Sequence, residues 1–190
     1  MYAPRFILLP DTPNEVSVRA RAFCLETIKS VYGLDYNKAW HADLDSLLGK
    51  ADTNLFSSLN NGAFYVLLEE NGKVIATAGL YDLALAPTTF NRLKERYQDT
   101  SVAQVVRVYV DAEARGSGVG TNLVKTLEQA AQERAYRWLY LHADSDAPRT
   151  LNFWGARGFK KFGSLVYQTP TGPARIDDFD KALGETGVRA

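Results

Sequence analysis

The stretch that most constrains the fold runs over residues 104–134, QVVRVYVDAEARGSGVGTNLVKTLEQAAQER. Val105, Val106, Val108, Tyr109 and Val110 form a β-branched and aromatic run, as in a strand covered on both faces. After a short acidic turn comes Arg115-Gly116-Ser117-Gly118-Val119-Gly120. Val119, Leu123, Leu127 and Ala130 then recur at helical spacing and share one face. The order strand, glycine loop, helix brings the unpaired N–H groups and positive dipole end of the helix to the loop. Gly116, Gly118 and Gly120 lack a Cβ, which permits positive φ and lets a ligand approach the backbone. With Thr121 as a hydroxyl donor and Arg115 as a full charge, the loop suits a phosphate or diphosphate. The competing reading is a turn that only joins strand to helix.

Two nucleotide readings are weakened by spacing. A dinucleotide loop needs G-x-G-x-x-G directly after the strand, whereas these glycines are spaced G-x-G-x-G and start well past Val110. A Walker loop needs Lys beside its last glycine, and Gly120 is followed by Thr121. Arg115, Gly118 and Gly120 instead fit Q/R-x-x-G-x-G/A, and so resemble the acetyl-CoA diphosphate loop of the GCN5-related N-acetyltransferases (GNAT). A second block, Asn152-Phe153-Trp154-Gly155-Ala156-Arg157-Gly158-Phe159, is similar to that family's helix-to-strand segment. The two blocks occur in the family's order, and the likeness covers about residues 62–162.

Composition fits a single soluble domain over residues 1–190. Hydrophobic residues make up 46% and charged residues 23%, and Lys plus Arg balances Asp plus Glu. No basic footprint points to nucleic acid or a membrane surface. One cysteine, Cys24, excludes an intramolecular disulfide and reads as a small core residue. The apolar run Phe6-Ile7-Leu8-Leu9 is too short for a span or leader, so a cytoplasmic protein is expected.

Along the chain, residues 6–9 read as a strand. Thr12 as N-cap, Pro13 and Glu15 predict a helix that stops at Gly33. Residues 63–69 and 73–81 read as a hairpin about Asn71-Gly72. Residues 83–103 are long for a connection and read as an insertion between central strands, with a helix from Pro87 to Arg96. That insertion is either a lid or an exposed spacer with a solvated charged face. Strands at 138–142 and 159–167, a helix from Pro148 to Gly158, a turn at Thr171-Gly172-Pro173, a last strand and a loose tail at 184–190 follow.

The resemblance implies an α/β (α+β) fold: a mixed, mostly antiparallel twisted sheet of six to seven strands, helices on both faces, and a splayed central strand pair. It implies an N-acetyltransferase passing acetyl from acetyl-CoA to a primary amine of a small molecule, amino acid or peptide, with no metal. Family members are often dimers, which allows a homodimer. The backbones of Val108 and Val110 would hold the pantetheine arm. The diphosphate would lie on Arg115, Gly116, Ser117, Gly118, Val119, Gly120 and Thr121, with Trp154 also at the cofactor. Tyr36, Trp40, His41, Tyr81 and Arg107 are acceptor-side candidates. For Tyr81 the alternative is a core aromatic, for His41 a solvated histidine, and for Arg107 a salt bridge to Asp111 or another nearby acid.

Three family positions depart from pattern. Gln104 stands where many members have a catalytic Glu, Trp154 where many have a Tyr acid, and Ala147 where an Asn is usual. Gln104, Tyr109 and His142 are the candidates for proton handling. Tyr140 and His142 share a strand face, and His142 is either a proton relay or a satisfied histidine beside the core. A non-catalytic acyl-CoA-binding module is the alternative function.

Overall fold

The computed structural model describes residues 6–98, 100–169 and 172–184. Its seven strands form one sheet in the order β1-β2-β3-β4-β5-β7-β6. In chain order these are β1 (Ile7–Leu8), β2 (Ala63–Leu68), β3 (Val74–Asp82), β4 (Val102–Val110), β5 (Trp138–Asp144), β6 (Lys160–Thr169) and β7 (Gly172–Ala182). Five α-helices accompany them: α1 (Glu15–Tyr32), α2 (Lys38–Ser46), α3 (Pro87–Tyr97), α4 (Val119–Glu133) and α5 (Pro148–Gly155). Every strand pair is antiparallel except β4–β5, which α4 connects. The turn expected at Thr171 and the tail expected beyond Gly184 lie outside the described residues.

Helix α1 starts two residues later than its sequence signal. Asn14, rather than Thr12, accepts from the N–H groups of Val16 and Ser17, and Ser17 returns the bond to the Asn14 N–H. The box is reciprocal, but Ser17 takes the place given to Glu15. At the other end Gly33 sits at φ 66° and its N–H caps the Lys29 carbonyl.

Strand alternation divides the core between two layers. Ala103, Val105, Leu139 and Leu141 face α4 and α5, where they meet Leu123, Leu127 and Trp154. Phe64, Val66 and Tyr81 face α1 and α2, where they meet Ala20, Cys24, Ile28 and Leu44. Cys24 is fully buried, its Sγ 3.5 Å from Thr77 Oγ1. Val102 and Tyr140 also point away from α4, toward Leu93 and Tyr97 of α3.

The segment between β3 and β4 is exposed over most of its helix but packs on the sheet through Leu93 and Tyr97. Helix α3 covers the part of the sheet that α1 and α2 leave open. Two of its charged side chains are docked: Arg92 makes a bidentate pair with Asp178 at 2.6 and 2.9 Å, and Arg96 meets Asp180 at 2.8 Å. The Arg96 guanidinium also stacks over Phe162, 3.8 Å from its ring centre.

Candidate active site

The site is a wedge between two neighbouring parallel strands. Strands β4 and β5 pair only over Val102↔Trp138, Ala103↔Leu139 and Gln104↔Tyr140. Beyond that rung β4 continues to Val110 paired with β3 alone, and β5 continues to Asp144 paired with β7 alone. Each strand thus turns one edge toward the gap.

A bulge lies in the diverging part of β4. Thr77 pairs with Tyr109 and Gly79 with Val106, so Ala78 faces both Arg107 and Val108. Arg107 takes up the extra length at φ 53°, a conformation that strains a residue with a Cβ. Its side chain is held in compensation. Nε and Nη2 each reach an Asp43 carboxylate oxygen at 2.7 Å, and Nη2 also reaches the Trp40 carbonyl at 2.8 Å. This pair raises the Arg107 pKa against the cost of burial. Arg107 therefore ties α2 to the bulge, and the nearby acid of the sequence reading is Asp43, not Asp111.

Beyond the open end of β4 stands the glycine loop. Its three glycines have separate physical reasons. Gly116 (φ 80°) and Gly118 (φ 88°) adopt the left-handed region, and a Cβ on either would point into open space. Gly118 ends the loop and Val119 opens α4. At Gly120 a Cβ would lie 3.1 and 3.3 Å from the Phe153 ring, so this glycine lets α4 and α5 pack closely. Arg115 Nε donates to the Val110 carbonyl at 3.0 Å, and Ser117 Oγ to the Ala114 carbonyl at 2.6 Å. Thr121 Oγ1 accepts from Arg157, whose guanidinium stacks 4.0 Å from the Phe153 ring centre. The basic side chain of Arg157 does not by itself signal this place, which only the packing of α5 beside α4 creates. An open cleft of about 450 Å³ adjoins the loop, bordered by Arg19, Lys73, Asp111 and Arg115. A second, of about 340 Å³, lies at the closed end of the wedge beside Arg96, Trp138 and Asp180.

Gln104 occupies the last closed rung. It is 4% exposed, and its Oε1 is buried without a hydrogen-bond partner. An unpaired buried acceptor is unfavourable and calls for a donor. On the adjoining strand, His142 is exposed and faces the same side as buried Tyr140. His142 Nδ1 lies 3.4 Å from Tyr140 Oη. Although accessible, the imidazole sits among enough protein for desolvation to hold its pKa below the ordinary value. Arg92 and Arg107 push the same way, and Asp178 opposes them. Tyr109 lies on the α1 side, with its phenol pushed up to about 12 by burial.

Several acceptor-side candidates fall elsewhere. Tyr81 is 6% exposed and packs edge-on against Phe56, so it is a core aromatic. His41 is 3% exposed; its Nδ1 accepts from the Asn37 N–H at 2.9 Å, and burial lowers its pKa. It is not the solvated histidine of the alternative reading. Trp154, expected at the cofactor, is buried between Phe153 and Phe159 and forms part of the α5 core contact. Tyr36 and Trp40 remain exposed. Tyr32 and Tyr167, not singled out in the sequence, are exposed and lie within electrostatic reach of Asp144 at the end of β5. Among the described residues no cluster of His, Cys, Asp and Glu could hold a metal ion. No helix among them is long and apolar enough to cross a membrane.

An open mixed sheet with a β4–β5 wedge and a glycine loop leading into α4 defines a class of acetyltransferase folds. The Acetyltransferase (GNAT) family profile matches residues 25–159, well over half of the 190 residues. The chain belongs to that family, and is thereby an acetyltransferase in the general sense. Similar solved structures include Arabidopsis thaliana NAA60 in complex with a bisubstrate analogue. It has a TM-score of 0.68 and 10% identity, with 96% of this chain and 100% of that chain covered. The same plant protein in complex with acetyl-CoA gives a TM-score of 0.66 at 9% identity, covering 94% and 99%. An acetyltransferase from Streptococcus agalactiae 2603 gives 0.64 at 18% identity, covering 94% and 98%. At such identities the likeness is one of fold. No curated protein matches the chain.

Proposed function

We propose that this protein is an N-acetyltransferase that passes the acetyl group of acetyl-CoA directly to a primary amine of a small molecule, amino acid or peptide. The observation that carries this reading is the unpaired β4 edge above the Gln104↔Tyr140 rung, leading to the open glycine loop. An extended pantetheine arm would add to that edge as a strand does, through the backbones of Val108 and Val110. The N–H groups from Gly118 to Thr121, with the Arg115 charge, would receive the diphosphate. Complexed NAA60, which shares the fold, supports acetyl-CoA as the co-substrate.

In this reading the acceptor enters from the side of α1, α2 and the β6–β7 hairpin, past Tyr32, Tyr36, Trp40 and Tyr167. An amine must be neutral to attack, so an ammonium must first lose a proton. His142 is accessible and held neutral at pH 7, and it takes that proton through its ring nitrogen. Gln104 Oε1 accepts from the amine or from a bridging water, which satisfies its lone acceptor. The amine nitrogen then bonds to the thioester carbonyl carbon and a tetrahedral oxyanion forms. It collapses with cleavage of the C–S bond, CoA leaves as thiolate, and the remaining excess proton on nitrogen passes through water to that thiolate. Tyr109, protonated at neutral pH, serves as a hydrogen-bond donor on the α1 side and not as a base.

The test is thiol release from acetyl-CoA across a panel of amines, amino acids and peptides, beside calorimetric titration of acetyl-CoA. Release with at least one acceptor, reduced about 10²–10⁴-fold in His142→Ala, is expected. Tight acetyl-CoA binding with no release from any acceptor would favour a binding module, for which the absence of a Glu at Gln104 speaks. No binding would remove both.

A further inference from the structure

We propose that Arg92, Asp178 and Tyr140 are positioning residues that hold neutral His142 with its proton on Nδ1, so that Nε2 is the nitrogen offered to the wedge. The reasoning is a count of protons along one chain of contacts. Asp178 lies on β7 directly opposite His142 in register and is 1% exposed. The Arg92 guanidinium pairs with this buried carboxylate in bidentate fashion, at 2.6 and 2.9 Å. Both carboxylate oxygens of that ion pair accept, so the 2.7 Å contact from Tyr140 Oη to Asp178 Oδ1 consumes the single phenol proton. The phenol oxygen is left with lone pairs alone. It accepts from Arg92 Nη2 at 2.9 Å and faces His142 Nδ1 at 3.4 Å. Two acceptors do not attract, so Nδ1 carries the hydrogen and Tyr140 accepts from it, over a long bond. Among the described residues Nε2 has no protein partner, which leaves its lone pair toward solvent.

The rest of the surroundings agree. The charged groups acting on His142 are Asp178 from β7, Arg92 from α3 and Arg107 from β4, with Tyr140 on its own strand. The two cations disfavour a second proton on the ring, and Asp178 moderates them. The arrangement also gives α3 a function. The helix between β3 and β4 carries Arg92 to the sheet, and without Arg92 nothing on α3 would fix the direction of the Tyr140 hydroxyl. As far as catalysis is concerned, this inference rests on the proposed role of His142 as proton acceptor; the tautomer itself does not.

The experiment is long-range ¹H–¹⁵N correlation NMR of the histidine side chains, above the titration range. The chain has two histidines, so His142→Gln assigns the spectrum. His41 serves as an internal standard of the opposite kind, since its Nδ1 accepts from the Asn37 N–H and its proton must therefore lie on Nε2. The expectation is Nδ1–H for His142 and Nε2–H for His41 in the wild type. Tyr140→Phe should move His142 toward the Nε2–H form that free imidazoles favour. It should also lower kcat roughly ten- to a hundredfold, short of the ~10²–10⁴ for loss of the base, and leave the acid limb of the pH profile in place. Arg96→Gln breaks the neighbouring Arg96–Asp180 pair without touching Tyr140, and should leave the tautomer unchanged. The proposal is overturned if wild-type His142 is Nε2–H, or if Arg96→Gln shifts the tautomer as far as Tyr140→Phe. Because the spectrum needs no turnover, a protein that acetylated no amine would still give this answer.

Discussion

Gly118 and Gly120, two positions apart, respond to substitution in different ways. Gly118→Ala forces a Cβ into the left-handed region but into empty space, so its stability cost is about 1–2 kcal/mol. Its larger effect should be on KM for acetyl-CoA, because the Ala methyl would project beside the proposed diphosphate. Gly120→Val meets the Phe153 ring and should destabilise by about 1–3 kcal/mol. Phe153→Leu in the same chain should recover part of that loss, whereas it should recover nothing for Gly118→Ala. Urea melts of the four variants and a KM series check both statements. The glycine spacing made the loop legible in the sequence, but not this division of labour, because Phe153 comes from a segment 33 positions downstream. The fate of His41 was equally hidden. Nothing local says that its ring folds back onto the Asn37 N–H.

At the scale of elements, the strands, the hairpin at Asn71-Gly72 and helix α4 were readable because alternation, turn chemistry and helical spacing each act within a few residues. The β4 bulge was not. VVRVYV alternates as a straight strand would, and only pairing with β3 reveals that two residues oppose one. The docking of helix α3 is hidden in the sequence for a related reason. A mixed-charge face looks solvated until the sheet supplies Asp178 and Asp180 about 85 residues away. The energetic contrast is testable. Arg92→Ala leaves the Asp178 carboxylate, whose side chain is 2% exposed, without its counter-charge and with the Tyr140 hydroxyl still donating to it, and should cost about 3–5 kcal/mol. Arg21→Ala breaks a pair that is 26% and 35% exposed, and should cost no more than about 1 kcal/mol. Equal losses in urea denaturation would refute the docking of α3 through Arg92.

For the molecule as a whole, acid should act in two stages. His41 and His142 both have folded pKa values held low by desolvation, so the unfolded chain binds protons that the native state refuses. Stability is full above the unfolded histidine pKa, about 6.5, and declines as pH falls below it. Asp177 follows at lower pH. Burial works against its charge, but Lys161, Ser164 and Ser145 hold it down at about 2, so its contribution is complete above 3.8 and fades as pH approaches 2. The urea midpoint should therefore be flat above pH 7, decline below about 6.5, and drop again below about 4. A midpoint that rises between pH 7 and 5 would contradict this.

The sole sulfhydryl, Cys24, is sealed between α1 and β3, and burial pushes its pKa up to about 12. A dye that modifies thiolates can reach it only when that layer lifts, so the modification rate works as a clock for opening. Saturating with acetyl-CoA at a hundred times its dissociation constant should slow the clock about a hundredfold if the layer opens only with the whole fold. An unchanged rate would instead show α1 detaching while the wedge stays closed around its ligand, and the two halves of the sheet would then be separable in time.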